Sequence, residues 1–172
     1  VDDASPGGKT GKRIAKKAEE LFPEYVKSGK IRVIFSTNEK SMKGGGILFG
    51  MNDALARGAD YIVYTDVDLS SDLRQIGSLL QPIVEKGAGI TIGSRSHPRS
   101  RVVGKTWPRN FSSVIYNYFA RFILPLGLIF DTQAGFKAFS AEAARVVVPE
   151  ARDTRLSFDT ELLLLAREKG FP

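Results

Sequence analysis

Cysteine is absent from this 172-residue sequence, which removes disulfide scaffolds, thiolate metal sites and cysteine nucleophiles and suits a reducing compartment. Histidine occurs once, at His97, so a Ser-His-Asp triad would have to use it. It stands in the basic stretch SRSHPRS, where phosphate contact or plain exposure fits better than activation of a nucleophile. Acids are missing from Lys86 through Phe130, a stretch that holds Arg95, Arg99, Arg101, Lys105, Arg109 and Arg121. With a formal net charge of +6, such a run points to an anionic partner (a phosphate, a nucleic acid or a membrane face), against the plainer reading of a solvated basic surface. Long apolar runs are lacking too. The nearest is FILPLGLIF, 122–130, broken by Pro125 and shorter than the ~20 residues a spanning helix needs. It fits a core or a bilayer surface equally, and no signal-peptide pattern is visible.

What is present is the composition of a soluble domain, 42% hydrophobic and 26% charged, long enough for one core. The chain opens in VDDAS without Met and closes at EKGFP after a helical pattern. Both ends read as cut from a longer protein, with a strand expected on either side.

Apolar spacing predicts a helix over roughly Thr10 to Phe22, ended by Pro23, and a strand from Ile31 to Ser36. A second helix carries Ile47, Met51, Ala54 and Leu55 on one face and closes at Gly58. The apolar run Tyr61–Tyr64 is a strand leading to Asp66. Leu73, Ile76, Leu80, Ile83 and Val84 mark another helix, and Ala88–Ser94 another strand. This alternation predicts an α/β fold, a mostly parallel sheet with helices on both faces, which binds ligands at the carboxyl ends of its strands. Asp2, Asp3, Asp66, Asp68 and Arg95 should share that edge. Further on, a long helix is expected from Trp107 or Arg109 toward Leu124. DTQAGFKAFS reads as a loop, SAEAARVVV as a short helix capped by Ser140, and SFDTELLLLAREKG as a helix with Ser157 or Asp159 at its start.

The pair Asp66 and Asp68 in TDVDLS carries the sharpest chemistry. Side chains two apart on an extended chain point the same way, and two adjacent carboxylates repel unless a cation joins them. Hard oxygen ligands suit Mg²⁺ or Mn²⁺, which would in turn hold a diphosphate. The competing reading is equally simple: Asp66 ends a strand and Asp68 caps the next helix. An Asp-nucleophile phosphatase uses the same spelling but places it on the first strand, usually with Thr following, where this chain has Leu69-Ser70. GGKTGK, 7–12, fails as a P-loop, because Pro6 and Arg13 stand where Gly and Ser or Thr are required. KGGG, 43–46, before a helix offers backbone N–H groups and a lysine to an anion, or is only a glycine turn. Trp107 and Phe111 among basic residues suit base stacking or helix packing.

Taken together, VDDAS, NEKSMKGGGILFGMNDALARGADYIVYTDVDLS, GSR, DTQAGFKAF and FDTELLLLA resemble the family 2 glycosyltransferases of the Rossmann-like GT-A fold. The polyprenyl-phosphate sugar synthases are most similar, the dolichyl-phosphate glucosyltransferase branch in particular. The resemblance implies one catalytic domain over 1–172, with a nucleotide- and metal-binding half (1–95) and an acceptor-side half (96–172). It implies inverting transfer from a UDP- or GDP-sugar to a polyprenyl phosphate at the cytoplasmic membrane face, or to a saccharide or glycolipid, rather than nucleic-acid binding. Asp2, Asp3, Lys43, Asp66 and Arg95 would meet the donor, and Asp66 and Asp68 the metal. Arg109 and Gln133 would meet the acceptor phosphate, with Asp131, Asp159 or Glu161 at the reacting centre. Mannosyl-phosphate synthases tend to carry Gln two residues after the second Asp. Ser70 stands there and leaves the donor sugar open.

Overall fold

The β-branched and aromatic run after Asp60 favours a pleated, covered strand, and Tyr61–Thr65 forms β1 in the computed structural model of the chain, which describes residues 1, 8–36, 42–68, 70–95, 97, 100, 129 and 131–172. Helices α1 (Lys9–Leu21), α2 (Pro23–Lys27) and α3 (Met42–Ala56) precede it. A 3₁₀ turn at Leu73–Gln75 then leads into α4 (Ile76–Lys86), followed by β2 (Ile90–Ile92). Strand β3 (Phe136–Ser140), α5 (Ala141–Val147) and α6 (Phe158–Glu168) complete the described chain. The expected helix near 107–124, with Trp107, Arg109 and Phe111, lies outside the described residues, as do Asp2 and Asp3.

Most helices fall where their patterns place them. Ser140 caps α5 by accepting the Ala143 N–H at 3.1 Å, and α4 ends at Gly87 with φ 69°, a left-handed turn that glycine adopts without strain. The buried stripe of α4 runs through Leu79 and Ile83, while Val84 is exposed. On α1 the apolar Ile14 and Leu21 are exposed, and the helix packs chiefly on α2. Residues 31–36 hold a single bridge at Phe35 rather than the expected strand.

The sheet departs from the expected parallel one. Its order is β1-β3-β2, and β3 runs antiparallel to both neighbours. β1 and β2, joined through α4, do not pair with each other among the described residues. DTQAGFKAFS is therefore not simply a loop, since its second half is the central strand. Phe136, Ala138 and Phe139 have the apolar period of a strand, and burial on both faces outweighs the small residues before them. Helices cover both faces, as expected. Ile62 and Phe139 pack with Leu48 and Met51 of α3, Val147 of α5 and Phe158 and Leu162 of α6. Phe136 and Ala138 pack with Leu79 and Ile83 of α4 on the other face. At about 1.5–3 kcal/mol per fully buried large apolar side chain, these two layers hold the sheet edge in place.

Candidate active site

The ends of β1 and β2 and the start of β3 meet at one edge of the sheet. Beyond the β1–β3 ladder the Asp66 N–H donates to Gly135 O at 2.9 Å, and beyond β2 the Gly93 N–H donates to Phe136 O at 2.8 Å. Because β3 is antiparallel, this edge gathers Asp66, Gly93–Arg95 and Asp131–Gly135.

Lys43 reaches the same edge from α3, with its Nζ 2.8 Å from Asp66 Oδ1. The first glycine after it is a packing position. A Cβ on Gly44 would stand 2.7 Å from the Thr154 carbonyl carbon and 2.8 Å from Phe158 Cγ, so only glycine lets α3 close on that segment. The Gly45 N–H is used by Thr154 O at 3.0 Å and is not free for an anion.

Asp68 is placed differently from Asp66. The strand ends at Thr65 and residues 67–68 turn, so the extended alternation stops before Asp68. Its exposed carboxylate accepts the Ser70 N–H at 3.0 Å, and this bond holds its pKa below the ordinary aspartate value. Among the described residues no group of three or more acids or histidines is placed to hold a metal.

Arg95 and Asp131 form a fork. Asp131 Oδ2 accepts both the Arg95 backbone N–H at 3.0 Å and its Nε–H at 2.9 Å, while Oδ1 accepts from Nη2 at 3.0 Å. Asp131 is buried, whereas the Arg95 side chain is 58% exposed. The pairing raises the arginine pKa further, and a buried carboxylate thus aims a guanidinium outward. Asp131 also borders a cavity of about 520 Å³ that includes Ile90, Ile92, Leu163 and Phe171. Gln133, two residues on in the chain, is exposed.

Asp159 lies beneath the edge, on the first turn of α6, and does not cap that helix. It is 2% exposed. Its Oδ1 accepts from Lys137 Nζ at 2.5 Å and from the Tyr64 hydroxyl, and Oδ2 lies 4.0 Å from Lys43 Nζ. Tyr64 and Lys137 are register partners across β1–β3, which puts both on the face that α6 covers. Burial pushes the lysine pKa down against the pull of Asp159. Burial, and then Asp159, push the Tyr64 phenol well up. Charges therefore alternate inward from the surface: Asp66, Lys43, Asp159, Lys137. Glu161 is engaged elsewhere, accepting the backbone N–H groups of Arg152 and Asp153 at 2.8–3.1 Å.

Three contributors escaped the reading of residue types: Tyr64, Gly135 and Lys137. The signal for Lys137 lay in its position between Phe136 and Phe139. A cation in a strand covered on both faces must meet an anion, but that reasoning requires 136–140 to be read as a strand.

Comparison with known proteins converges on the same assignment. The profile described as "Glycosyl transferase family 2" matches residues 1–147. Glycosyltransferase AglD of Haloferax volcanii is 37% identical over 116 residues, covering 67% of this chain and 18% of that protein. A dolichyl-phosphate beta-glucosyltransferase of Dictyostelium discoideum is 29% identical over 161 residues, 89% of this chain and 48% of its own length. A polyprenol monophosphomannose synthase of Mycolicibacterium smegmatis is 32% identical over 172 residues, 99% of this chain and 61% of its own. The chain thus spans less than two thirds of the length of each of these relatives. With a profile match across most of the chain and an edge that gathers Asp66, Lys43, Arg95 and Asp131, the chain belongs to glycosyl transferase family 2.

Proposed function

We propose that this domain transfers a sugar from a nucleotide-sugar to a polyprenyl phosphate, with inversion at the anomeric carbon, and that Asp66 and Asp68 hold a divalent metal on the donor diphosphate. The observation that carries the reading is the gathering of two aimed cations, Lys43 and Arg95, with Asp66 at the sheet edge. The names of the relatives support the acceptor class. The apolar cavity beside Asp131 suits an acceptor that joins a phosphate to a hydrocarbon chain.

Asp66 and Asp68 are the proposed ligands of a Mg²⁺ or Mn²⁺ ion. Asp66 is held against the sheet, Asp68 is exposed, and such ions take one or two carboxylates and complete their shell with phosphate oxygens and water. When bound, the metal would neutralise charge growing on the departing nucleoside diphosphate. Lys43 and Arg95 would add to that stabilisation from fixed positions. The acceptor phosphate is already anionic at neutral pH and needs little proton removal. Asp131, with both oxygens committed to Arg95, then acts by aiming the guanidinium. Asp159 supplies a fixed anion below Lys43, and Glu161 fastens the 152–153 loop. Asp2 and Asp3 are proposed for the base and ribose, with Arg109 and Gln133 at the acceptor phosphate. The proposed working place is the cytoplasmic membrane face.

The test is thermal stabilisation by UDP-glucose and GDP-mannose with and without Mn²⁺. A metal-dependent rise in melting temperature that Asp68→Ala abolishes is expected. No shift with either donor, or one that survives Asp68→Ala, overturns the metal–diphosphate reading.

A further inference from the structure

The Asp66 carboxylate rests on bare backbone. The β1–β3 ladder ends with Thr65 opposite Phe136, and the next step pairs the Asp66 N–H with Gly135 O at 2.9 Å. Asp66 and Gly135 are therefore cross-strand neighbours, with their side-chain positions on the same face. A Cβ at Gly135 would stand 1.8 Å from Asp66 Oδ2 and 2.3 Å from Cγ, well inside any van der Waals contact. Gly135 does not have a positive φ, so backbone freedom is not what the glycine supplies. It supplies the empty space in which the carboxylate lies across the central strand. The other oxygen, Oδ1, is held by Lys43 at 2.8 Å. One side of the carboxylate is thus fixed by charge and the other by the missing side chain. Asp68, by contrast, is exposed and accepts the Ser70 N–H at 3.0 Å.

We infer that Gly135 is the positioning residue for the Asp66 carboxylate, so that β3, and not β1 alone, determines where the donor's metal–diphosphate meets the site. The functional half of this inference rests on the metal reading above, whereas the contact between Gly135 and Asp66 does not. An ordinary packing glycine would show its cost whatever stood at position 66. A seat for the carboxylate loses its importance once the carboxylate is gone.

The test compares the full chain with Gly135→Ala, Asp66→Ala and the double variant, by melting temperature without ligand and by Mn²⁺-dependent binding of UDP-glucose and GDP-mannose. Gly135→Ala should lower the melting temperature and raise the Mn²⁺ concentration for half-maximal binding by about tenfold or more, the usual effect of disturbing a group that orients a metal ligand. In the Asp66→Ala background the same glycine change should leave the melting temperature where Asp66→Ala put it. If Gly135→Ala does not fold, recovery of folding in the double variant supports the seat. An equal cost in both backgrounds, a double variant that also fails to fold, or an unchanged Mn²⁺ requirement in Gly135→Ala overturns the inference. If Asp66→Ala itself leaves Mn²⁺-dependent binding intact, the metal reading and the functional half fall together. The melting temperatures still decide the seat.

Discussion

Lys137 shows how much one buried residue can govern. Its ammonium has no access to solvent and depends on Asp159 and Ala134 O for its bonds. Lys137→Met should cost about 3–5 kcal/mol in urea denaturation, because buried Asp159 then keeps only the Tyr64 hydroxyl and Lys43, 4.0 Å away, as partners. Lys137→Met/Asp159→Asn should lose less than the two single changes together. Tyr64 adds a pH dependence of known sign. Its phenol pKa is raised in the fold above the ordinary value of 10.0, so above that value the unfolded chain loses its proton first. The stability contributed by Tyr64 is complete below pH 10.0 and is lost as pH rises through the folded value. Tyr64→Phe should flatten this alkaline decline relative to wild type, measured as unfolding free energy between neutral pH and the alkaline limb. At this scale the acids and cations of the site were legible as residue types, since Asp66, Lys43, Arg95 and Asp131 all carry charge in short motifs. Tyr64 was not, because its role appears only in register with Lys137.

At the scale of elements, legibility followed the strength of local signals. α5 is the clear case. Ser140 accepts the Ala143 N–H, and Ser140→Ala should cost about 1 kcal/mol, read as a lower urea midpoint with an unchanged slope. Gly58 after the apolar face of α3, and the apolar spacing of α4, marked their helices in the same local way. β3 gave a weaker signal, because Asp131–Gly135 has turn chemistry and Phe136–Ser140 is only 5 residues long. Its place between β1 and β2 comes from pairings far away in sequence, which no window of neighbouring residues contains. The parallel sheet was expected because β1, α4 and β2 follow one another in the manner of a crossover unit. The insertion of a later strand between them is a tertiary fact. The glycines of 44–46 were visible as an anomaly, and the use of Gly44 in closing α3 on Thr154 and Phe158 depends on a segment more than a hundred residues away.

For the whole molecule, the sheet draws on residues from both halves of the chain. β1 and β2 come from residues before 95, and the strand that joins them comes after 131. A fragment of residues 1–95 should therefore show no cooperative melting in calorimetry, and adding a 129–172 fragment should restore a transition. Such interleaving has a consequence in time as well as in space. A ribosome releases the first half long before the second, and closing contacts of such wide sequence separation is slow. Until Phe136–Ser140 emerges, the edges of β1 and β2 that will flank it remain open. The nascent chain is then exposed to edge-to-edge association, and Asp66 lies beside no central strand. The edge that gathers Asp66, Lys43, Arg95 and Asp131 should thus form late, as a single step once α6 has left the exit tunnel, with no partial form before it.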